Sequence, residues 1–504
     1  MAAAEQVLAW IDARRWWLFA LAAIIHMCSF NGQWHIVPDS AVFLGISENL
    51  VQGRGFMNNG EPVTNIQPGF PFVLAAVRAT GIDVVPGSLI VVHSLGILTL
   101  WLVFLLLRRA AGRPIAVLVT FLTAVSAVFL RHCLEILADI PFMFGCVLML
   151  LGYEWTFPPA DKARQHASDQ RPIAGSILVA LAIAFMASMR LVVLGPLAAL
   201  VLDVAWRVRR SRAKWFMLLG AGGAVVLALT VRLADPRMAG GFKLLQKERE
   251  IVQRLADFPS TLSRSLHSTL PDLLLNVTPR AFFGNKAGFA PADLLLTALI
   301  LVSGVALVRR RILWGALVFI LFAQWAIFFA DTRYFLPILP LLYLGWWDTG
   351  VRLSSWCARP GAARGVLIAS ILLVAAPNLA RSVGFVLEQH RSPFYEHYLR
   401  GRYENLRAIG SAAHAQLPPD SVVLCAEQFA EPFHLFSQIR TIGAFESNLL
   451  KPVPRDRPLF ILLPGDDNFD KALKAAGVTE GETVLSMSRL SDPRPIRIAR
   501  AIIR

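Results

Sequence analysis

The sequence predicts a mainly α-helical, polytopic membrane protein with a small α/β domain at its C-terminal end. Two observations predict the membrane part. The 504-residue chain is 56% hydrophobic and only 16% charged, where a soluble protein carries about 25% charged residues. Its apolar runs also approach the roughly 20 residues that a helix needs to cross a bilayer. A third observation, a change of composition after about residue 380, predicts the second domain.

About eleven spans follow from run length, near residues 16–33, 88–107, 114–130, 140–157, 173–189, 191–206, 215–232, 291–308, 312–330, 335–350 and 364–380. The apolar stretch at the N-terminus is long and no small-residue cleavage site follows it, so it is expected to be a retained span. Net charge is +15, yet nucleic acid is not an expected partner. The basic residues lie in short clusters between apolar runs: Arg14/Arg15, Arg108/Arg109/Arg113, Lys162/Arg164/Arg171, Arg207 to Lys214, Arg309 to Arg311 and Arg352/Arg359/Arg364. Every second short loop is basic, which places those loops and the N-terminus on the cytoplasmic side. The five cysteines are scattered and lack CxxC spacing, so neither a disulfide framework nor a zinc site is expected.

Three outer segments then exceed simple connectors: about 34–87, about 233–290, and everything after 380. The membrane domain is thus 1–380 and the outer domain 381–504. In the latter, "SVVLC", "PLFILLPG", "ETVLSMS" and "IRIARAII" read as strands, and "DNFDKALKAAG" as a helix ending at Gly477. In the first outer segment Val42, Ile46 and Leu50 recur every four residues, predicting a short amphipathic helix on the membrane surface. "GRGF" ends it, and "NIQPGFPF", Asn65 to Phe72, leads back into the apolar layer.

Four places carry polar groups at span ends. Asp39, in "WHIVPDSAVFLG", is either a helix cap or a general base, since a carboxylate between water and hydrocarbon is partly desolvated and accepts a proton more readily. In "RHCLEILADIPF", Glu135 and Asp139 are four apart and share a face if the segment is helical. Asp139 also stands at a span entrance, with Pro141 in the first turn, and Glu135 has Arg131 four residues before it. In "DTRYFLPILP", Arg333 and Tyr334 lie at headgroup depth, as an interfacial anchor or as a phosphate site, because a guanidinium presents a fork of donors. Arg190 interrupts "ASMRLVVLG" at the outer end of a helical hairpin. No GxxxxGK[ST], GxGxxG, HExxH or DxD motif occurs, so no nucleotide or metal-chelated donor is expected. "NVT", Asn276 to Thr278, matches a glycosylation acceptor triplet in an outer loop.

The pattern "PDSAVFLGISENLVQGRGF…IQPGFPF" resembles the first outer loop of the polyprenyl-phosphate-sugar-dependent glycosyltransferases. This is the superfamily of the protein O-mannosyltransferases and the lipid A aminoarabinose transferase, with the GT-C fold. "EILADIPFMF" resembles its second acidic site and "RYFLPILPLL" a late-span motif. The chain departs from the strongest family pattern in having Asp39 followed by Ser40 rather than a second acid. The resemblance implies a transferase that moves a sugar from a polyprenyl-phosphate donor to a hydroxyl of a lipid, glycan or protein at the outer face of the cytoplasmic membrane, inverting the anomeric centre. It implies Asp39 and Asp139 as catalytic residues, and Arg333, Tyr334, Arg190, Glu135 and Gln67 as substrate-binding residues. No cofactor and no obligatory metal are expected, since arginine can replace a metal on a monophosphate. A transporter or lipid flippase is the alternative, although neither duplicated halves nor helices broken at mid-membrane are visible. A non-catalytic envelope scaffold is a third class.

Overall fold

A computed structural model of the chain describes residues 2–35, 37–63, 66–157, 171–207, 217–223, 226, 302–328, 332–391, 401–445, 448–449, 451–454, 456–463, 467–487 and 496–503. The predicted outer loop near 233–290, the Asn276 triplet and most of the spans at 215–232 and 291–308 lie outside the described residues.

The membrane part is built from α1 (Ala2–Ala13), α2 (Arg15–Ser29), α3 (Pro38–Val51), α4 (Gly69–Ala79), α5 (Val84–Ala110), α6 (Arg113–Ala124), α7 (Ala127–His132), α8 (Asp139–Thr156), α9 (Arg171–Met189), α10 (Leu194–Arg207), α11 (Ile312–Phe328), α12 (Leu339–Ser355) and α13 (Pro360–Arg391). Among the described residues, Val84–Ala110 and Pro360–His390 are long and apolar enough to cross a membrane, and six shorter apolar helices accompany them. The last predicted span ends at 380, but α13 runs on to Arg391 without a break and carries Pro377 inside it.

α8 is the hub, because it is apolar on nearly all sides and almost wholly buried. It meets α9 through glycines. A Cβ at Gly152 would stand 2.9 Å from the Gly175 carbonyl oxygen, and one at Gly175 would stand 2.6 Å from that of Gly152. Such close backbone approach is how helices gain contact where lipid removes the hydrophobic drive. At the end of the bundle that the basic loops mark, Arg311 clasps buried Glu154 with two bonds of 2.9 and 2.8 Å. Asp203 there accepts from the Leu313 amide at 2.9 Å and from the Tyr153 hydroxyl.

The C-terminal part contains α14 (Gly401–Gln416), α15 (Glu427–Ser437), α16 (Asp467–Ala475) and strands β3 (Val422–Ala426), β4 (Arg440–Phe445), β5 (Asn448–Leu449), β6 (Leu459–Leu463), β7 (Val478–Met487) and β8 (Ile496–Ile503). The sheet runs β5-β4-β3-β6-β8-β7, with β3 parallel to β4 and β6, and the other pairs antiparallel. Central β3 is buried along its whole length, which suits its unbroken apolar run. One face packs on α14 and α15 through Leu406, Ile409 and Phe433, the other on α16 through Phe469 and Leu473. The four strands and the helix read from sequence are present. β4, β5, α14 and α15 were not read.

α3 is not a helix lying freely on a membrane surface. It packs between α4 and α15, so Ala41, Leu44, Gly45, Ile46 and Ser47 are buried while Val42 and Leu50 are half-buried. A second sheet covers the outer segment's tip: β1 (Met57–Asn58) and β2 (Glu61–Pro62) form a hairpin around Asn59 and Gly60. Both turn residues have positive φ, +51° and +75°, the backbone of a two-residue type I′ turn, for which Asn-Gly is the favoured pair.

Candidate active site

Each candidate side chain is placed by a helix end. Val37 is extended (φ −116°, ψ 136°), as a residue before proline must be, and Pro38 then opens α3. Ser40 locks that start by donating to the Val37 carbonyl at 2.6 Å and accepting from Trp34 Nε1 at 2.9 Å. Asp39 is left in the first turn, where the helix dipole favours a negative charge. Asp139 is the first residue of α8, with Pro141 in that helix's first turn. Arg190 lies between α9 and a one-turn 3₁₀ segment, Leu191–Val193. Arg333 and Tyr334 lie in another 3₁₀ segment, Thr332–Ile338.

These ends converge on one cavity of about 590 Å³. Asp39, Asp139, Arg190, Arg333, Tyr334 and Gln67 all line it. Their polar atoms form a chain. Arg333 Nη1 donates to Asp39 Oδ2 at 3.1 Å. Arg190 donates from Nη1 to Asp139 Oδ1 and from Nη2 to the Tyr334 hydroxyl at 2.9 Å. Tyr334 joins the two halves, its ring centre 4.7 Å from the Arg190 guanidinium carbon and 5.6 Å from that of Arg333. The two acids differ in exposure: the Asp39 side chain is 53% exposed and that of Asp139 only 4%. Two buried lining atoms, Asp139 Oδ2 and Gln67 Nε2, have no hydrogen-bond partner among the described residues. A buried polar atom left unpaired costs about 1–3 kcal/mol, and both atoms line the cavity, where a polar ligand could meet them.

Glu135 does not reach this cavity. The segment between α7 and α8 is a series of turns, so Glu135 and Asp139 share no helix face. Glu135 is buried beside its own neighbours, accepting from Arg131 Nε at 2.9 Å and lying 3.6 Å from His132 Nε2. Asp39 in turn is not held by a side-chain cap; its carboxylate is engaged by Arg333 and is more exposed than a desolvated base.

Sequence reading missed the far wall of the cavity. Asn58, Asn59 and Glu61 of the hairpin line it, as do Glu431 of α15 and Lys451 after β5. Asn58 Nδ2 donates to Glu431 Oε2 at 2.5 Å, and Glu61 takes Lys451 at 2.5 Å and Arg440 at 3.1 Å. Asn59 pins the hairpin to the outer domain. Its side chain exchanges bonds with Thr441 at 2.8 to 3.0 Å, and its amide donates to His434 Nε2 at 2.9 Å. Burial pushes the Glu431 carboxyl above the ordinary glutamate value, against the Asn58 hydrogen bond and the Lys451 charge that pull it down. The Asn-Gly pair in "MNNGEP" could have revealed the hairpin; Glu431 and Lys451 carried no local signal.

Among the described residues no three His, Cys, Asp or Glu side chains are grouped to hold a metal ion. No protein-family model and no curated protein matches the sequence. Solved structures do match the fold. ArnT from Cupriavidus metallidurans bound to undecaprenyl phosphate matches with a TM-score of 0.58 at 13% identity, over 97% of this chain and 98% of that one. The apo form of ArnT matches with a TM-score of 0.57 at 14% identity, over 96% and 97%. The Archaeoglobus fulgidus oligosaccharyltransferase in complex with zinc and sulfate gives 0.51 at 13% identity, over 84% of this chain and 62% of that one. At these identities the likeness concerns architecture alone: the chain has a GT-C-like fold.

Proposed function

We propose that the chain is an integral membrane glycosyltransferase that moves a sugar from a polyprenyl-phosphate donor to an acceptor hydroxyl, with inversion, at the outer face of the cytoplasmic membrane. The observation that carries the reading is the cavity itself: two carboxylates, each tied to an arginine, gathered where span ends meet the outer segment. The ArnT structure of matching fold is bound to undecaprenyl phosphate, which makes a lipid phosphate the natural donor carrier here. Basic loops, read as cytoplasmic, support an outward-facing cavity, and the eleven apolar segments are taken as spans.

The chemistry asks little of the leaving group. A lipid phosphate is stable as an anion and needs no acid to protonate it. The donor phosphate draws Arg333 away from Asp39 and is held by its fork of donors, with Arg190 beside it. Asp39, released, accepts the proton of the acceptor hydroxyl. The acceptor oxygen attacks the anomeric carbon, the bond from that carbon to the phosphate oxygen breaks, and polyprenyl phosphate leaves with the electron pair. Asp139 keeps Arg190 in place, and Gln67 meets a polar group of the sugar. Asp39 returns its proton to water.

Proteoliposomes holding the purified chain, supplied with radiolabelled undecaprenyl-phosphate sugars and host membrane extract as acceptor source, test the reading. Release of undecaprenyl phosphate with label in a product of inverted anomeric configuration is the expected result. Label that crosses the bilayer still attached to its lipid would instead make the chain a flippase.

A further inference from the structure

The residues lining the cavity divide by origin. The span ends and α3 give Asp39, Asp139, Arg190, Arg333 and Tyr334 among apolar residues such as Val42, Phe43, Leu137 and Val192; the hairpin and the C-terminal domain add amides, carboxylates and an ammonium. On the transferase reading, on which this inference rests, the first set takes the donor's phosphate and lipid, and the second is left for the acceptor. We infer that Glu431 of the outer domain, with Lys451, Asn58 and Glu61, binds the acceptor, and that the acceptor is an uncharged polyhydroxylated molecule, a saccharide in chemical class.

Charge excludes the other classes. The ammonium of Lys451 is matched by Glu61 at 2.5 Å, and Glu61 also takes Arg440. An anionic acceptor would meet Glu61 and Glu431 with both neighbouring cations already paired. A cationic acceptor could approach Glu431 only beside Lys451, whose charge already acts on that carboxyl. Hydroxyl groups fit because each donates and accepts at once. Here two carboxylates stand beside an amide donor and an ammonium donor, and Glu431 takes its 2.5 Å bond from an amide, not a cation. The buried, unpartnered Gln67 Nε2 and Asp139 Oδ2 supply one further donor and one further acceptor. The wall is also preformed, since the Asn59–Thr441 and Asn59–His434 bonds hold the hairpin against the outer domain.

Saturation-transfer NMR on the full chain in detergent tests this, with neutral methyl hexosides, an anionic methyl glucuronide and a cationic methyl glucosaminide as probes. The inference predicts signals from a neutral glycoside that exceed those of both charged ones. It also predicts about tenfold weaker binding in Glu431→Gln, which loses a hydrogen bond to a charged group, with Glu431→Asp in between. Elution volume and tryptophan fluorescence establish that the variants are folded; if Glu431→Gln is not, Lys451→Met serves for the same comparison. Absence of any glycoside signal, equal binding in the variants, or preference for a charged probe overturns the inference. Binding of undecaprenyl phosphate to the wild-type chain separates the two ideas: where it is present and the glycosides fail, only the acceptor assignment falls; where it is absent, the transferase reading falls.

Discussion

Arg333 Nη1 lies 3.1 Å from Asp39 Oδ2, joining residues 294 positions apart. The pair links the proposed phosphate ligand to the proposed base. In the resting protein the arginine therefore holds the carboxylate in an ion pair, and on the proposed mechanism a phosphate that competes for the guanidinium frees it.

Undecaprenyl phosphate binding should accordingly depend on Arg333. Arg333→Ala is expected to weaken it about tenfold or more, the worth of a charge-assisted hydrogen bond. Arg333→Lys should recover only part of that, because an ammonium keeps the charge and loses the fork. Titration of the solubilised chain with a fluorescent undecaprenyl phosphate checks both. Unchanged affinity in Arg333→Ala would place the phosphate elsewhere.

The Arg190–Asp139 pair is the buried half of the network, with side chains 17% and 4% exposed. Removing one member of such a pair strands the other and costs about 3–5 kcal/mol. Arg190→Met alone should thus lower the unfolding temperature strongly, and Arg190→Met with Asp139→Leu should lower it less. Thermal unfolding in detergent reads this. Equal losses in the single and double variants would mean that the pair is not coupled.

His434 gives the hairpin contact a pH dependence. Its Nδ1 donates to the Ile439 carbonyl at 2.7 Å, so Nε2 accepts from the Asn59 amide only while the ring is neutral. Burial lowers the pKa of His434 from its ordinary 6.5, and the Arg54 charge adds to this. The contact is therefore at full strength above pH 6.5. As the pH falls below that value, the undocked form takes up a proton that the docked form refuses, and docking weakens. The protection factor of the hairpin amides, with the intrinsic pH dependence of exchange divided out, should fall on acidification more in the wild type than in His434→Gln. Parallel profiles would remove the histidine from the contact.

Much of the site was legible because span ends are legible. Asp39, Asp139, Arg190 and Arg333 each interrupt an apolar run, and a polar group at such a point must face water, a partner or a cavity. Glu135 has the partner that stands four residues before it, Arg131, while the turns from Cys133 to Ala138 keep it off any face shared with Asp139, so its place outside the cavity could not be read from spacing. α3 was expected to lie open on the membrane because nothing local says that α15, almost 400 positions on, covers it. The polar wall escaped for the same reason: Asn58 meets Glu431 across 373 positions and Glu61 meets Lys451 across 390. Contacts over such separations leave no periodicity or spacing to read.

The most direct measurement compares wild type with Asp39→Asn in turnover of a radiolabelled undecaprenyl-phosphate sugar, with undecaprenyl phosphate binding followed in parallel. The account predicts that Asp39→Asn binds the lipid phosphate and loses turnover by a factor of about 10² to 10⁴, the worth of a general base. Wild-type turnover in a variant that can no longer take the proton would contradict it.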